Sequence, residues 1–140
     1  MALRPGDHLE QTVAITSDDV VRLATELGDP NPLHHDAAAA VRSRFGGLIA
    51  CGGHVIGLLT SACAAFTSPH GPGVGLGFTY TLRKAARAGE RFTMRWEVLS
   101  VERSERLRGN LVRLRGTMRD AAGALVVEGA AEVLQRADLG

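Results

Sequence analysis

Hydrophobic positions follow two different periods along the chain. In the first half they recur at helical spacing or run together, and from Phe92 onward they alternate with polar residues. Val20, Leu23, Ala24 and Leu27 stand at i, i+3, i+4 and i+7, one apolar stripe of a helix. Thr16-Ser17-Asp18-Asp19 ahead of them supplies hydroxyl caps and then first-turn acids, and Gly28 stands where a C′ glycine ends a helix. Leu9 to Ile15 alternates loosely, which predicts a short first strand. The segment Asp29-Pro30-Asn31-Pro32-Leu33-His34-His35-Asp36 cannot prolong the helix, because its prolines remove donors and push their predecessors out of helical backbone. Asp36 is placed to cap a short helix through Ala37 to Val41, a run rich in strong helix formers. Beyond Phe45-Gly46-Gly47 the spacing predicts a long apolar helix from about Gly53 to Phe66, and the Gly- and Pro-rich stretch Ser68 to Gly75 reads as a loop.

The second half reads as strands. Phe92, Met94, Trp96 and Val98 alternate with Thr93, Arg95 and Glu97. Val112, Leu114 and Met118 alternate with Arg113, Arg115 and Arg119; Leu125, Val127, Ala131 and Val133 alternate with Glu128 and Glu132 among others. Gly75 to Leu82 adds a strand, Lys84 to Glu90 a connection, and Asp120-Ala121-Ala122-Gly123 a hairpin loop. Helices first, antiparallel strands later and one long apolar helix between them predict an α+β domain, a curved antiparallel sheet wrapped on a central helix. No repeat or long linker divides residues 1–140, so a single domain is expected. Gly47 to Phe66 approaches the length of a membrane span. It is interrupted by Gly52-Gly53-His54 and carries Thr60 and Ser61, and no second span follows, so it reads as the buried centre of the domain.

Composition narrows the function classes. A formal net charge of +1 offers no field for nucleic acid or an anionic membrane, and neither partner is expected. Arg103, Arg106, Arg108, Arg113, Arg115 and Arg119 fall on strand ends and polar alternations, as on a solvated sheet face. Cys51 and Cys63 have no partner at zinc-ligand spacing and read as buried free thiols, so no metal site is expected. The N-terminus lacks the apolar core of a signal peptide, and a cytoplasmic location is the expectation.

The stretch 28–36 carries the chemistry. It sets an acid, an amide and an imidazole on a backbone stiffened by two prolines, and acid/base groups act only when their geometry is held. Gly52-Gly53, opening the long helix, offers free N–H groups to a developing oxyanion. An Asp and an Asn after a helix-ending glycine are also ordinary turn residues, and His34 can be a satisfied structural histidine. Spacing alone favours that plainer reading.

The motif as a whole resembles a known family. Gly28-Asp29-Pro30-Asn31-Pro32-Leu33-His34-His35-Asp36, with the Ala-rich helix behind it, is similar to the hydratase motif of the MaoC-like dehydratases, which include the (R)-specific enoyl-CoA hydratases. Phe45-Gly46-Gly47-Leu48-Ile49-Ala50-Cys51-Gly52-Gly53-His54 resembles that family's entry into its hotdog helix. The resemblance implies a hotdog fold and Asp29 and His34 as a catalytic pair holding the attacking water. It implies Asn31 as a brace for the loop, the Gly52 amide facing the thioester oxygen with Gly53 beside it, and Thr60 as the helix hydroxyl near the site. It further implies a homodimer that uses coenzyme A or a carrier protein as acyl carrier and no cofactor. Two departures blur the substrate: Leu27 replaces a frequent Ser, and Cys51-Gly52 replaces a frequent His-Gly, with His54 displaced along the helix start.

Other residues keep two readings. His54 either lines the pocket and meets the acyl group or is a helix-start histidine bonded to backbone. His35 is expected to face solvent, and Cys51 to pack, since hydration needs no covalent intermediate. Arg42, Arg44, Arg83, Lys84 and Arg87 are a solvated face or contacts to carrier phosphates. The expected reaction is hydration of an enoyl-thioester to a 3-hydroxyacyl-thioester, or its reverse. A thioesterase on the same fold and an acyl-binding partner subunit of a heteromeric dehydratase are the alternatives.

Overall fold

The computed structural model describes residues 2–138. Five strands and three α-helices follow in chain order: β1 (His8–Ala14), α1 (Ser17–Leu27), α2 (Ala37–Arg42), α3 (Gly52–Thr67), β2 (Gly73–Leu82), β3 (Arg91–Ser104), β4 (Gly109–Asp120) and β5 (Leu125–Gln135). Single 3-10 turns lie at Pro32–His34 and Ser68–His70.

The local signals act as anticipated. The Thr16 side chain accepts the Asp19 N–H while the Asp19 carboxylate accepts that of Thr16, a complete capping box. Gly28 ends α1 in the left-handed region at φ 77°, donating its N–H back to the last turn. Asp36 caps α2 by accepting from the Ala39 N–H. Two boundaries shift. Ile15 leaves β1 yet is buried, and β2 begins at Gly73, inside the expected loop, because Gly73 and Val74 already pair with Gln135 and Leu134. A Cβ at Gly73 would lie 3.2 Å from the Leu134 carbonyl oxygen, so the missing side chain admits that pairing.

All five strands join one antiparallel sheet in the order β1-β3-β4-β5-β2. Phe92, Met94, Trp96 and Val98 of β3 point to one face with Val112, Leu114 and Met118 of β4. The opposite face carries the arginines: Arg113 pairs with Glu102 and Glu132, and Arg95 with Glu10 and Glu97. Register shifts in the β2–β5, β3–β4 and β4–β5 ladders mark irregularities of the kind that bend a sheet.

Helix α3 lies across the apolar face and buries Val55, Leu59, Ala62, Cys63 and Phe66. The Trp96 indole N–H donates to the Leu59 carbonyl at 2.8 Å, anchoring the middle of α3 to the middle of the sheet. Gly116 is the cross-strand partner of Trp96, and a Cβ there would come within 2.7 Å of the indole. No helix among the described residues is long and apolar enough to cross a membrane. Cys63 is deeply buried, and burial pushes its thiol up to about 11, which makes it an inert packing group. At the far end of the sheet Lys84 Nζ donates to Asp120 Oδ2 at 2.5 Å, and the Ala122 and Ala124 N–H groups hold the other oxygen.

Two outcomes follow from this packing. Gly116→Ala forces a methyl against the indole and should lower the stability measured in urea by about 1–3 kcal/mol. The Lys84 hydrogen bond, then the Ala124 amide, hold the Asp120 carboxyl below its ordinary value of 3.8. This linkage stabilises the fold above that pH and is lost as the pH falls below it. Asp120→Asn should therefore flatten the acid limb of a stability-against-pH curve, and an unchanged limb would show that the pair contributes nothing.

Candidate active site

The loop after α1 is stiffened twice over. Asp29 Oδ1 accepts the Asn31 N–H at 3.1 Å, and Asn31 Oδ1 accepts the Leu33 N–H at 3.0 Å, two successive side-chain turns. The plainer reading of these residues thus accounts for the Asn31 oxygen and for one of the two Asp29 oxygens. The second oxygen of Asp29 is left for other use, and Oδ2 lies 3.4 Å from His34 Nε2.

His34 is buried, whereas the Asp29 side chain is 38 % exposed. The other imidazole nitrogen, Nδ1, bonds the Ile49 carbonyl at 2.7 Å. A carbonyl only accepts, so Nδ1 carries the hydrogen, and in the neutral ring the Nε2 lone pair faces the Asp29 carboxylate. The Ile49 N–H returns a bond to the Leu33 carbonyl at 3.1 Å. The loop and the segment entering α3 are therefore stitched in both directions. On its other side that segment bonds the next connection, with Ala50 N–H to the Ala86 carbonyl and Ala88 N–H to the Leu48 carbonyl.

Three residues after Ile49, α3 begins. Cys51 at its N-cap makes no side-chain cap bond, so the first-turn N–H groups at Gly52 and Gly53 have neither an intrahelical acceptor nor a cap. Helix start and acid/base pair are thus neighbours through the 49–52 segment. The arrangement offers two acceptors facing one another, suited to a water that donates to both, and beside them a helix N-terminus suited to negative charge.

The flanks of α3 differ. On one side Leu82 of β2 approaches Gly52, where a Cβ would be 3.3 Å from Leu82 Cδ1. Farther along this side Thr60 shares a 2.6 Å hydrogen bond with the Tyr80 hydroxyl. Burial raises the Tyr80 phenol above its ordinary value, so it stays protonated at neutral pH. On the other side Gly53 meets Leu27, and a cavity of about 410 Å³ runs between α1, β1 and α3. His54 lines that cavity, and its Nδ1 has no hydrogen-bond partner, so the backbone-bonded alternative for this side chain is not what the structure shows.

A family model described as "MaoC like domain" matches residues 2–107. The chain belongs to the MaoC-like dehydratase family. The fold is that family's hotdog, as the solved structures it resembles bear out. R-hydratase PhaJ1 of Pseudomonas aeruginosa superposes with a TM-score of 0.83 at 31% identity, over 97% of this chain and 84% of that one. The (R)-hydratase of A. caviae involved in PHA biosynthesis gives 0.83 at 24% identity, over 94% and 96%. The HadBC (3R-hydroxyacyl-ACP dehydratase) complex of Mycobacterium tuberculosis gives 0.78 at 19%, over 93% and 96%, a likeness of fold alone. No curated protein matches the chain significantly.

In this MaoC-like domain the structure brings together Asp29, His34 and Asn31 directly, and Gly52 and Gly53 through the 49–52 segment. Thr60 and His54 stand on different flanks of α3. His35 is exposed, with Nε2 against the Asp29 carbonyl, and Cys51 is packed. Arg83, Lys84 and Arg87 are engaged with Glu128, Asp120 and Glu90. Sequence reading missed Tyr80 and Leu82. The available signal was the strand alternation Phe78-Thr79-Tyr80-Thr81-Leu82, which sets Tyr80 and Leu82 on one face.

Nitrogen-15 NMR of the imidazoles tests this geometry. When the His34 ring is neutral, it should appear as the Nδ1–H tautomer. His54, whose burial disfavours the charged ring, should protonate below the ordinary histidine value of 6.5. An Nε2–H tautomer at His34 would contradict the placement of its ring.

Proposed function

We propose that this chain catalyses the (R)-specific hydration of enoyl-thioesters, or the reverse dehydration, with Asp29 and His34 as the acid/base pair. The observation that carries the reading is the approach of Asp29 Oδ2 to His34 Nε2, with His34 Nδ1 tied to a backbone carbonyl. A water donating one hydrogen to each acceptor has its lone pair turned outward, toward Cβ of a bound enoyl group. As its oxygen bonds Cβ, the pair takes a proton from the water and returns one to Cα. The 3-hydroxyacyl-thioester forms and the pair ends as it began. Negative charge that gathers on the thioester oxygen meets the Gly52 and Gly53 N–H groups at the α3 N-terminus. Asn31 holds the loop, and Thr60 with Tyr80 borders the reacting centre on the β2 side.

The substrate is a coenzyme A or carrier-protein thioester, and the working form is a homodimer. Strand β2 is an edge strand, and its Val74, Leu76, Phe78 and Leu82 are between 37 and 51 % exposed, an apolar row that a second copy would cover. A cytoplasmic setting suits such substrates.

A thioesterase would use the same pair to send water to the carbonyl carbon. The unengaged helix start serves either reaction, so substrate decides: crotonyl-CoA should lose its conjugated absorbance, and butyryl-CoA should release no thiol. Asp29→Asn and His34→Ala should each lower kcat by at least ~10²-fold. Wild-type turnover in either variant would remove the pair from the mechanism, and thiol release from butyryl-CoA would make the protein a thioesterase. In the ultracentrifuge, Phe78→Glu should convert the dimer to monomer, and an unaffected dimer would place the interface elsewhere.

A further inference from the structure

Two consecutive histidines meet the same aspartate at different atoms. His34 presents Nε2 to the Asp29 carboxylate at 3.4 Å, and His35 Nε2 meets the Asp29 backbone carbonyl at 2.6 Å. Their rings stand at 69° to each other with centroids 6.5 Å apart. A carbonyl only accepts, so His35 Nε2 carries the hydrogen. Both the neutral Nε2–H tautomer and the charged ring donate there, and the bond survives protonation. His35 is exposed, yet its backbone is anchored. Its N–H bonds the Pro32 carbonyl at 3.1 Å, and the next residue, Asp36, bonds the same carbonyl at 2.8 Å and caps α2. The ring thus reaches from a fixed point back to a residue six positions earlier and closes the 29–35 loop.

With that bond, every polar atom of Asp29 but one is committed to holding the loop. Its N–H donates to the Ala24 carbonyl at 2.9 Å, its own carbonyl accepts from His35, and Oδ1 accepts the Asn31 N–H at 3.1 Å. Only Oδ2 is left, and it faces His34. The bond to Ala24 seats Asp29 on the end of α1, whereas His34 belongs to the far part of the loop, docked on Ile49. The backbone rotation ψ of Asp29 lies between the two groups and acts as the first hinge of the loop. Pro30 confines that rotation to extended values but leaves a range of about 40°. The His35 bond fixes the direction of the carbonyl, and so the rotation within that range. An exposed hydrogen bond adds little to fold stability, since water replaces either partner when it opens. What this one sets is direction.

We infer that His35 is a positioning residue for hydration: its Nε2–H holds the Asp29 carbonyl and so keeps Oδ2 directed at the water shared with His34. This rests on the acid/base reading of Asp29 and His34. In this role His35 touches none of the reacting atoms and moves no proton. The Ala24 and Asn31 bonds to Asp29 come from main-chain groups, which a side-chain replacement does not remove. His35 is therefore the side chain whose replacement loosens the hinge while leaving the reacting groups in place.

Steady-state hydration of crotonyl-CoA by the wild type and two variants tests this. His35→Leu keeps a side chain of similar reach without a donor, and His35→Gln sets an amide N–H near the place of Nε2. His35→Leu should lower kcat about tenfold at unchanged KM, the mark of misaligned reacting groups rather than of weaker binding. His35→Gln should recover most of that loss. Both variants should unfold at the wild-type urea concentration, because the position is exposed. Four results overturn the inference while a wild type that turns over keeps the hydratase reading standing. They are full activity in His35→Leu, a loss that His35→Gln does not repair, a raised KM in place of a lowered kcat, and a loss that tracks lowered stability. A wild-type chain inert toward crotonyl-CoA removes both readings together.

Discussion

The site depends on one reciprocal pair of hydrogen bonds, His34 Nδ1 to the Ile49 carbonyl and the Ile49 N–H to the Leu33 carbonyl. Through them a proline-stiffened loop, which carries no regular structure beyond one 3-10 turn, becomes an extension of the segment that starts α3. The same bond that docks the loop also sets the imidazole tautomer. Folding and protonation chemistry are thereby coupled: a loop displaced from Ile49 would lose both the position of Nε2 and the reason its lone pair faces Asp29.

That docking has meaning only because α3 is itself seated. Trp96 bonds the Leu59 carbonyl from the centre of the sheet, and Gly116 clears the space its indole needs. The buried row Val55, Leu59, Ala62 and Phe66 then fixes which side of the helix faces the sheet. With that rotation set, the remaining flanks are determined: Thr60 toward β2, and Gly53, His54 and Ser61 toward α1. Sheet packing thus decides which side chains flank the start of α3, at some distance from the Asp29–His34 pair.

Much of this was legible in the sequence, for physical reasons that differ by element. Helix α1 was readable at both ends because a capping box and a left-handed glycine are local devices that need no tertiary partner. The alternation of β3, β4 and β5 was readable because one face of the sheet is buried and the other carries paired arginines. The start of β2 was not, since Gly73 joins the sheet only through the close approach of β5, which no local signal announces. Within the site, Asp29 and His34 stood out through their motif. The partner of His34 is a main-chain carbonyl fifteen residues away, and backbone atoms leave no mark in composition or spacing. Tyr80 escaped for a related reason: its meeting with Thr60 depends on how far a strand slides along a helix.

The central claim is that the Asp29–His34 pair adds water across a thioester-activated double bond. It is tested most directly by incubating the protein with crotonyl-CoA in heavy water and reading the product by NMR. The expected product is (3R)-3-hydroxybutyryl-CoA with one deuteron at Cα, formed by the wild-type chain and not by Asp29→Asn. Free coenzyme A with crotonate, or the same deuterated product from Asp29→Asn, would contradict it.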